Sequence, residues 1–209
     1  MSIWVLLSSL LAGSKAHESE TNVAVFHEIV TILGSLVRLR RDLMVTTLPQ
    51  LTNIIGHLLF ALRSPRPLLG AKQYAMVADS FPAWVNPSKP LGAEESKALS
   101  RLLTSLSAKT SVRVHGPSAE LRKPESLVRP LSKHVTCVFQ SYFGIFNDPL
   151  CTLPADIRRE LLPGLFILCD MLNKHTRDAL MVSALDAGGK VAMKGLWKEY
   201  EKQSYTGRG

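Results

Sequence analysis

Cysteine is scarce in this 209-residue chain: Cys137, Cys151 and Cys169 are the whole set. So few, and an odd number, do not make the disulfide framework of a small secreted domain, so free thiols in a reducing compartment are expected. Strict two-residue alternation is also missing, and with it the pattern of a half-buried strand, so no sheet is expected. Acidic residues are in short supply, 17 Asp+Glu against 25 Lys+Arg, leaving a net charge of +8. That balance suits a nucleic-acid binder, a membrane-surface protein or a plain basic domain, and selects none of them. Long apolar runs free of polar residues are lacking too. The best, Leu43 to Leu62 between Asp42 and Arg63, includes Pro49, Gln50, Asn53 and His57. Placing those side chains in lipid is costly, so a buried helix is expected there and no membrane contact. The opening apolar run, followed by Ser14-Lys15-Ala16, has no basic residue before it. That is unlike a secretory signal, and a buried first helix is expected instead.

What is present is an ordinary globular composition, 46% apolar and 20% charged, long enough to bury the core of one domain. The apolar spacing is helical almost throughout. Val25, Phe26, Ile29, Ile32, Leu33, Leu36 and Val37 recur at three- and four-residue steps after Thr21-Asn22, a plausible N-cap. Arg38, Arg40 and Arg41 close that run with cations suited to a helix C-terminus. Thr47 starts a further helix with Pro49 in its first turn, and Leu51, Ile54, Ile55, Leu58, Leu59 and Leu62 form its wide apolar stripe. Leu99, Leu102, Leu103 and Leu106 mark another helix, begun by Glu94 and Glu95. Val135, Val138, Phe139, Tyr142, Phe143 and Phe146 supply an aromatic-rich face further on. A helix follows Pro154, and Pro163-Gly164 is expected to kink or break it.

These elements predict an all-α fold of stacked antiparallel helices, closer to a helical-repeat (HEAT/armadillo-like) stack than to a closed bundle, although no fixed-period repeat occurs. The predicted organisation is one domain over residues 1–209: helical 1–66, an irregular linker 67–92 marked by Pro82, Pro87 and Pro90, with a helix over Tyr74 to Phe81 as the alternative, helical 93–106, a basic loop 107–126 and helical 127–205. Between Arg101 and Lys133 there are seven Lys/Arg against two Glu, so much of the net charge is concentrated there.

No constellation for catalysis converges. His134, Cys137, Cys151, Cys169 and His175 offer zinc-ligand types, but no CxxC pair exists and Cys137 sits in an apolar helical run. His134 and Cys137 are close enough on a helix to touch, yet nothing at recognisable spacing supplies an orienting carboxylate, and a core cysteine is expected. Asp186-Ala-Gly-Gly-Lys190 resembles a phosphate loop only superficially. It lacks the earlier glycine, the Ser/Thr after lysine and the preceding strand, so its glycines are expected to separate two helices with Asp186 at the N-cap. The chain is therefore read as a protein without enzymatic activity, metal or cofactor. The feature left over is a row: Lys190, Lys194, Lys198 and Lys202 recur every four residues. Each step advances about 400°, so the row drifts only about 40° and makes one basic stripe. Such a stripe can track phosphates without reading bases, or can be a solvated face offset by Glu199 and Glu201. With it, Arg113, Arg122, Lys123, Arg129 and Lys133 are the candidate contacts for RNA or an acidic partner.

Leu161-Leu-Pro-Gly-Leu-Phe-Ile-Leu-Cys-Asp170, then His175, Asp178-Ala-Leu-Met181 and Ser183-Ala-Leu-Asp-Ala-Gly-Gly-Lys190, resemble the C-terminal domain of a nucleolar family of pre-ribosomal proteins, the Urb-two/Npa-two type. Leu196-Trp-Lys-Glu-Tyr-Glu-Lys-Gln-Ser-Tyr205 resembles its final helix; Ser132-Lys-His-Val135 and Ala98-Leu-Ser-Arg-Leu-Leu103 fit upstream blocks. The likeness covers residues 130–205 and extends over 40–110. These are packing motifs, and their order carries the specificity. The resemblance implies a non-enzymatic helical-repeat assembly factor of early large-subunit precursors, acting in 27S pre-rRNA processing in the nucleolus. Its implied partners are other assembly factors, including a larger sister scaffold and a DEAD-box helicase, with pre-rRNA nearby. Family members are much longer, so this chain is expected to match their C-terminal portion. The alternative reading is a helical-repeat adaptor unrelated to ribosomes.

Overall fold

The structure is a computed structural model that describes residues 2–13, 20–108 and 126–206. Eleven α-helices carry the fold among these residues: α1 (Ile3–Leu11), α2 (Val23–Leu39), α3 (Arg41–Met44), α4 (Leu48–Ala61), α5 (Ala71–Ala78), α6 (Ala93–Ser105), α7 (Val128–Leu131), α8 (Val135–Phe146), α9 (Ala155–Met171), α10 (Lys174–Ala179) and α11 (Ala187–Thr206). The all-α expectation holds. Neighbouring helices run in two series, α2–α6–α9 and α1–α4–α8–α11, with α9 and α11 closing the gap between them. One continuous apolar core lies between the series, from Leu7 on α1 to Leu196 on α11.

Helix α4 explains the long uncharged stretch. Thr47 precedes it, Pro49 sits in its first turn where no backbone donor is forfeited, and most of its circumference is buried, Gly56 and Thr52 included. Thr52 satisfies its hydroxyl within the helix, donating to Leu48 O at 3.1 Å. Among the described residues no helix is long and apolar enough to cross a membrane. Helix α1 lays Leu7 and Leu11 on this core, and the Trp84 indole donates to Leu10 O at 2.7 Å. At the end of α2, Arg41 folds back to donate from Nε to Val37 O at 3.1 Å, serving a carbonyl the helix leaves open.

The structure differs from the sequence reading at four places. Residues 67–92, expected as an irregular linker, contain α5 and bury Phe81, Trp84, Val85 and Leu91 in the core. A small sheet exists: Ser64–Pro65 pairs antiparallel with Cys151–Thr152, in the register Ser64 to Thr152. Two residues per strand are too few to show any alternation. Cys137, expected in the core, is exposed, whereas Cys151 and Cys169 are buried. Residue 137 follows Val135 but precedes Val138 and Phe139, and the latter pair face inward, which turns the cysteine out.

The fourth difference is at Pro163, expected to kink or break its helix: it lies inside a continuous α9, so the break does not occur. Its ring removes one backbone donor and crowds the carbonyl four residues back. The compensation comes from another helix: the Gly164 N–H donates to the buried Ser100 Oγ of α6 at 2.9 Å. A Cβ on Gly164 would stand 2.9 Å from Leu103 Cβ and 2.9 Å from Ser100 O, so glycine is what lets α6 and α9 approach this closely. With Ser96 and Ser100 also buried, small residues line the most extensive helix pairing in the molecule.

A partly buried ion pair ties three further parts together. Arg63, 8% exposed, donates from Nη1 to Asp148 Oδ2 at 3.0 Å, from Nη2 to Ser80 Oγ at 3.1 Å and from Nε to Phe60 O at 2.8 Å. Its guanidinium lies 4.9 Å from the Phe60 ring centroid and 5.2 Å from that of Phe81. Asp148 also accepts from the backbone N–H of Leu150 at 2.8 Å and of Cys151 at 3.1 Å.

Candidate interaction face on the C-terminal helix

Helix α11 begins as its sequence suggests. Asp186 Oδ1 accepts from the Gly189 N–H at 2.8 Å, the N-cap geometry expected of that aspartate, and also receives the Asn147 amide. A Cβ at Gly188 would collide with Asn147 Oδ1, so a larger residue there would displace the Asn147 side chain from Asp186. The helix then packs on α8 and, more lightly, on α9. Leu196 and Met193 go into the core, and the Tyr200 hydroxyl donates to Asp170 Oδ1.

The basic row lies mostly on the outside. Lys194, Lys198 and Lys202 are exposed, and Lys190 at the start is half-buried. Arg129 and Lys133 are exposed at α7 and the turn after it, a helix that packs on α9. They therefore share a neighbour with α11 without joining its row. Arg113, Arg122 and Lys123 lie outside the described residues.

Lys194 and Lys198 flank a groove that the sequence gives no sign of. It lies between α11 and the segment Lys174–Ala184, has a volume of about 460 Å³, and is lined by Arg177, Met181, Val182 and Trp197. The Arg177 guanidinium sits 4.6 Å from the Trp197 ring centroid, so one cation is fixed against the aromatic floor. The indole N–H donates to Glu201 Oε1 at 2.8 Å, which sets the ring's orientation. Residues Leu180–Ala184 form a π-type turn, and Val182 on it is 78% exposed. Such wide turns are over-represented at functional positions because they push side chains off the helical register. Asp178 and Glu201 temper the positive charge, so the groove is amphipathic and mildly basic. It offers no nucleophile–base pair, and no group of three or more metal-ligating side chains occurs among the described residues.

A stack of amphipathic helices with an amphipathic groove and a basic helix face defines the class, an all-α protein. Its family is shown directly, since the Urb2/Npa2 family model matches residues 1–208, and the chain belongs to that family. The match spans nearly the whole chain and so reaches beyond the motifs of residues 130–205 and 40–110 that first carried the likeness. The family is one of ribosome biogenesis factors. No curated protein and no solved structure matches the chain.

Proposed function

We propose that the chain acts without catalysis as a scaffold in assembly of the large ribosomal subunit, at the stage of 27S pre-rRNA processing in the nucleolus. It binds other assembly factors, a larger sister scaffold and a DEAD-box helicase among them, and touches pre-rRNA through α11. Family membership supports the setting. The observation that carries the contact is the juxtaposition of exposed Lys194 and Lys198 with the Arg177–Trp197 pair on one groove. Cations a helical turn apart hold phosphates in place, and an aromatic edge between them accommodates an unstacked base of any sequence.

The test is an RNA titration of the full chain against its K194E/K198E form at several salt concentrations. The charge-reversed form is expected to bind unrelated RNAs more weakly by similar factors, with a salt slope lower by about 0.7 for each phosphate no longer neutralised. Unchanged affinity and slope overturn the RNA contact. The cellular part is tested separately: a tagged chain should cosediment with large-subunit precursors and enrich 27S pre-rRNA. Absence from those particles overturns the scaffold assignment and favours an adaptor elsewhere.

A further inference from the structure

On the other side of α11 is a second cleft, enclosed by α8, α9 and α11, with a volume of about 340 Å³. Three features of the described residues bear on what it holds, a buried one and two exposed ones. Tyr142 lines it and is 3% exposed, yet its hydroxyl has no hydrogen-bond partner among the described residues. Buried tyrosine hydroxyls are normally paired, because an unmet polar group in a dry site is costly. Arg158 reaches the same cleft with its guanidinium 5.7 Å from the Phe146 ring centroid, and it makes no ion pair among the described residues. Gly195 stands at the opening in the middle of a helix, where glycine is unfavourable relative to alanine, and a Cβ there would meet nothing within 4 Å. Gly164 and Gly188 each have a close neighbour; Gly195, like Gly144 on α8, is exposed with open space around it.

We infer that this cleft is a binding site for a single carboxylate side chain of a partner protein, carried beside an apolar residue. The Tyr142 hydroxyl and the Arg158 fork would donate to the carboxylate. The apolar neighbour would lie over Gly195 against Phe146 and Leu196.

The donors select the ligand. Burial holds the Tyr142 phenol well above its ordinary pKa; Arg158 draws it down, and Glu199 and Cys169 push it up further. It therefore stays a protonated donor at every physiological pH. Tyr142, Arg158 and Glu199 line the cleft together. A hydroxyl and a guanidinium lining one cleft, with Phe146, Leu162 and Leu196 beside them, match a planar group with two oxygens next to an apolar residue. The charged lining is two cations and one anion, Arg158 and Arg159 against Glu199, which is the balance for one added carboxylate and not for a strand of phosphates. Each further phosphate of a polyanion would meet Glu199 without a cation left to offset it, whereas a single carboxylate leaves the cleft neutral. The site shares no lysine with the RNA contact proposed above, and the two stand or fall separately.

The probe is a capped hexapeptide with one central aspartate flanked by leucines, titrated into the full chain and followed by heteronuclear NMR. The amide signals of Gly195 and Tyr142 and the Arg158 side-chain signal are expected to shift and saturate. The asparagine version of the peptide should bind at least tenfold more weakly. Y142F keeps the ring and removes only the hydroxyl, and should weaken binding about 5- to 20-fold. R158Q should abolish it, and G195V should block it with the helix content unchanged by circular dichroism. Equal binding of the asparagine peptide overturns the inference, as does the same set of shifts produced by oligouridylate in place of the peptide. No response to the aspartate peptide at millimolar concentration overturns it as well.

Discussion

Ser100 gives the sharpest test of how this fold tolerates proline in a long core helix. Replacing it by alanine removes a single oxygen from a buried site and leaves the helix and its packing otherwise intact. The oxygen removed is the 2.9 Å acceptor of the Gly164 N–H, which sits immediately after Pro163 and under Leu103. A buried donor left without an acceptor costs about 1–3 kcal/mol, so S100A should destabilise by that amount. Pro163 is exposed, so P163A removes the ring clash without opening a cavity. Proline in a helix interior costs about 3 kcal/mol relative to alanine in host helices, and part of that is already relieved here, so a gain of about 1–2 kcal/mol is expected. The two substitutions should couple. With alanine at 163, α9 can tighten and the Gly164 N–H can take up the Glu160 carbonyl, so the absence of the Ser100 hydroxyl matters less. Urea unfolding of the wild type, both single variants and the double variant, followed at 222 nm, gives the coupling as a double-mutant cycle. If S100A costs the same in both backgrounds, within about 0.4 kcal/mol, then Ser100 does not compensate for the proline and the reasoning is refuted.

Three further outcomes follow from the same geometry. Arg63→Met strips Asp148, Ser80 and Phe60 O of a partner at once and should destabilise by about 3 kcal/mol in urea melts; a loss below about 1 kcal/mol would mean that the pair is screened like a surface bridge. Gly164→Ala and Gly195→Ala should move in opposite directions, the first destabilising because its Cβ is overpacked, the second stabilising by about 0.5–1 kcal/mol, as thermal denaturation will show. Thiol labelling of the native chain should modify Cys137 quickly and leave Cys151 and Cys169 until unfolding. Burial pushes the latter two up to about 11 and about 12. Since those folded values exceed the ordinary thiol value of 9.0, the native state holds protons that the unfolded state releases. Stability from this source is complete below pH 9 and declines as pH rises towards 11 and 12, a slope that alkaline urea titrations measure.

What can be read in the sequence is whatever depends on neighbours within a few turns. The stripes of α2, α4, α6 and α8 repeat at helical spacing, and Asp186 caps a helix three residues away, so both are visible. Pro163 misleads because its remedy, Ser100, is supplied from a different helix. Phe81, Trp84 and Val85 follow no period, so their burial leaves no sign, and Cys137 misleads because an apolar run does not say which way each position turns. At the candidate site the lysine row is plain, being one helix. The groove beside it is not, because Arg177 reaches Trp197 from α10 and a π-type turn brings Met181 and Val182 forward. The Tyr142 cleft, walled by three helices, has no expression in any single segment.

The close crossing of α6 and α9 has a consequence for chain connectivity. The two helices belong to opposite halves of the sequence, one ending at Ser105 and the other starting at Ala155, and their contact is the widest in the molecule. The halves are thus clamped by their own surfaces. Residues 1–108 and 109–209, coexpressed as two separate chains, should therefore assemble without being joined and travel together through a sizing column.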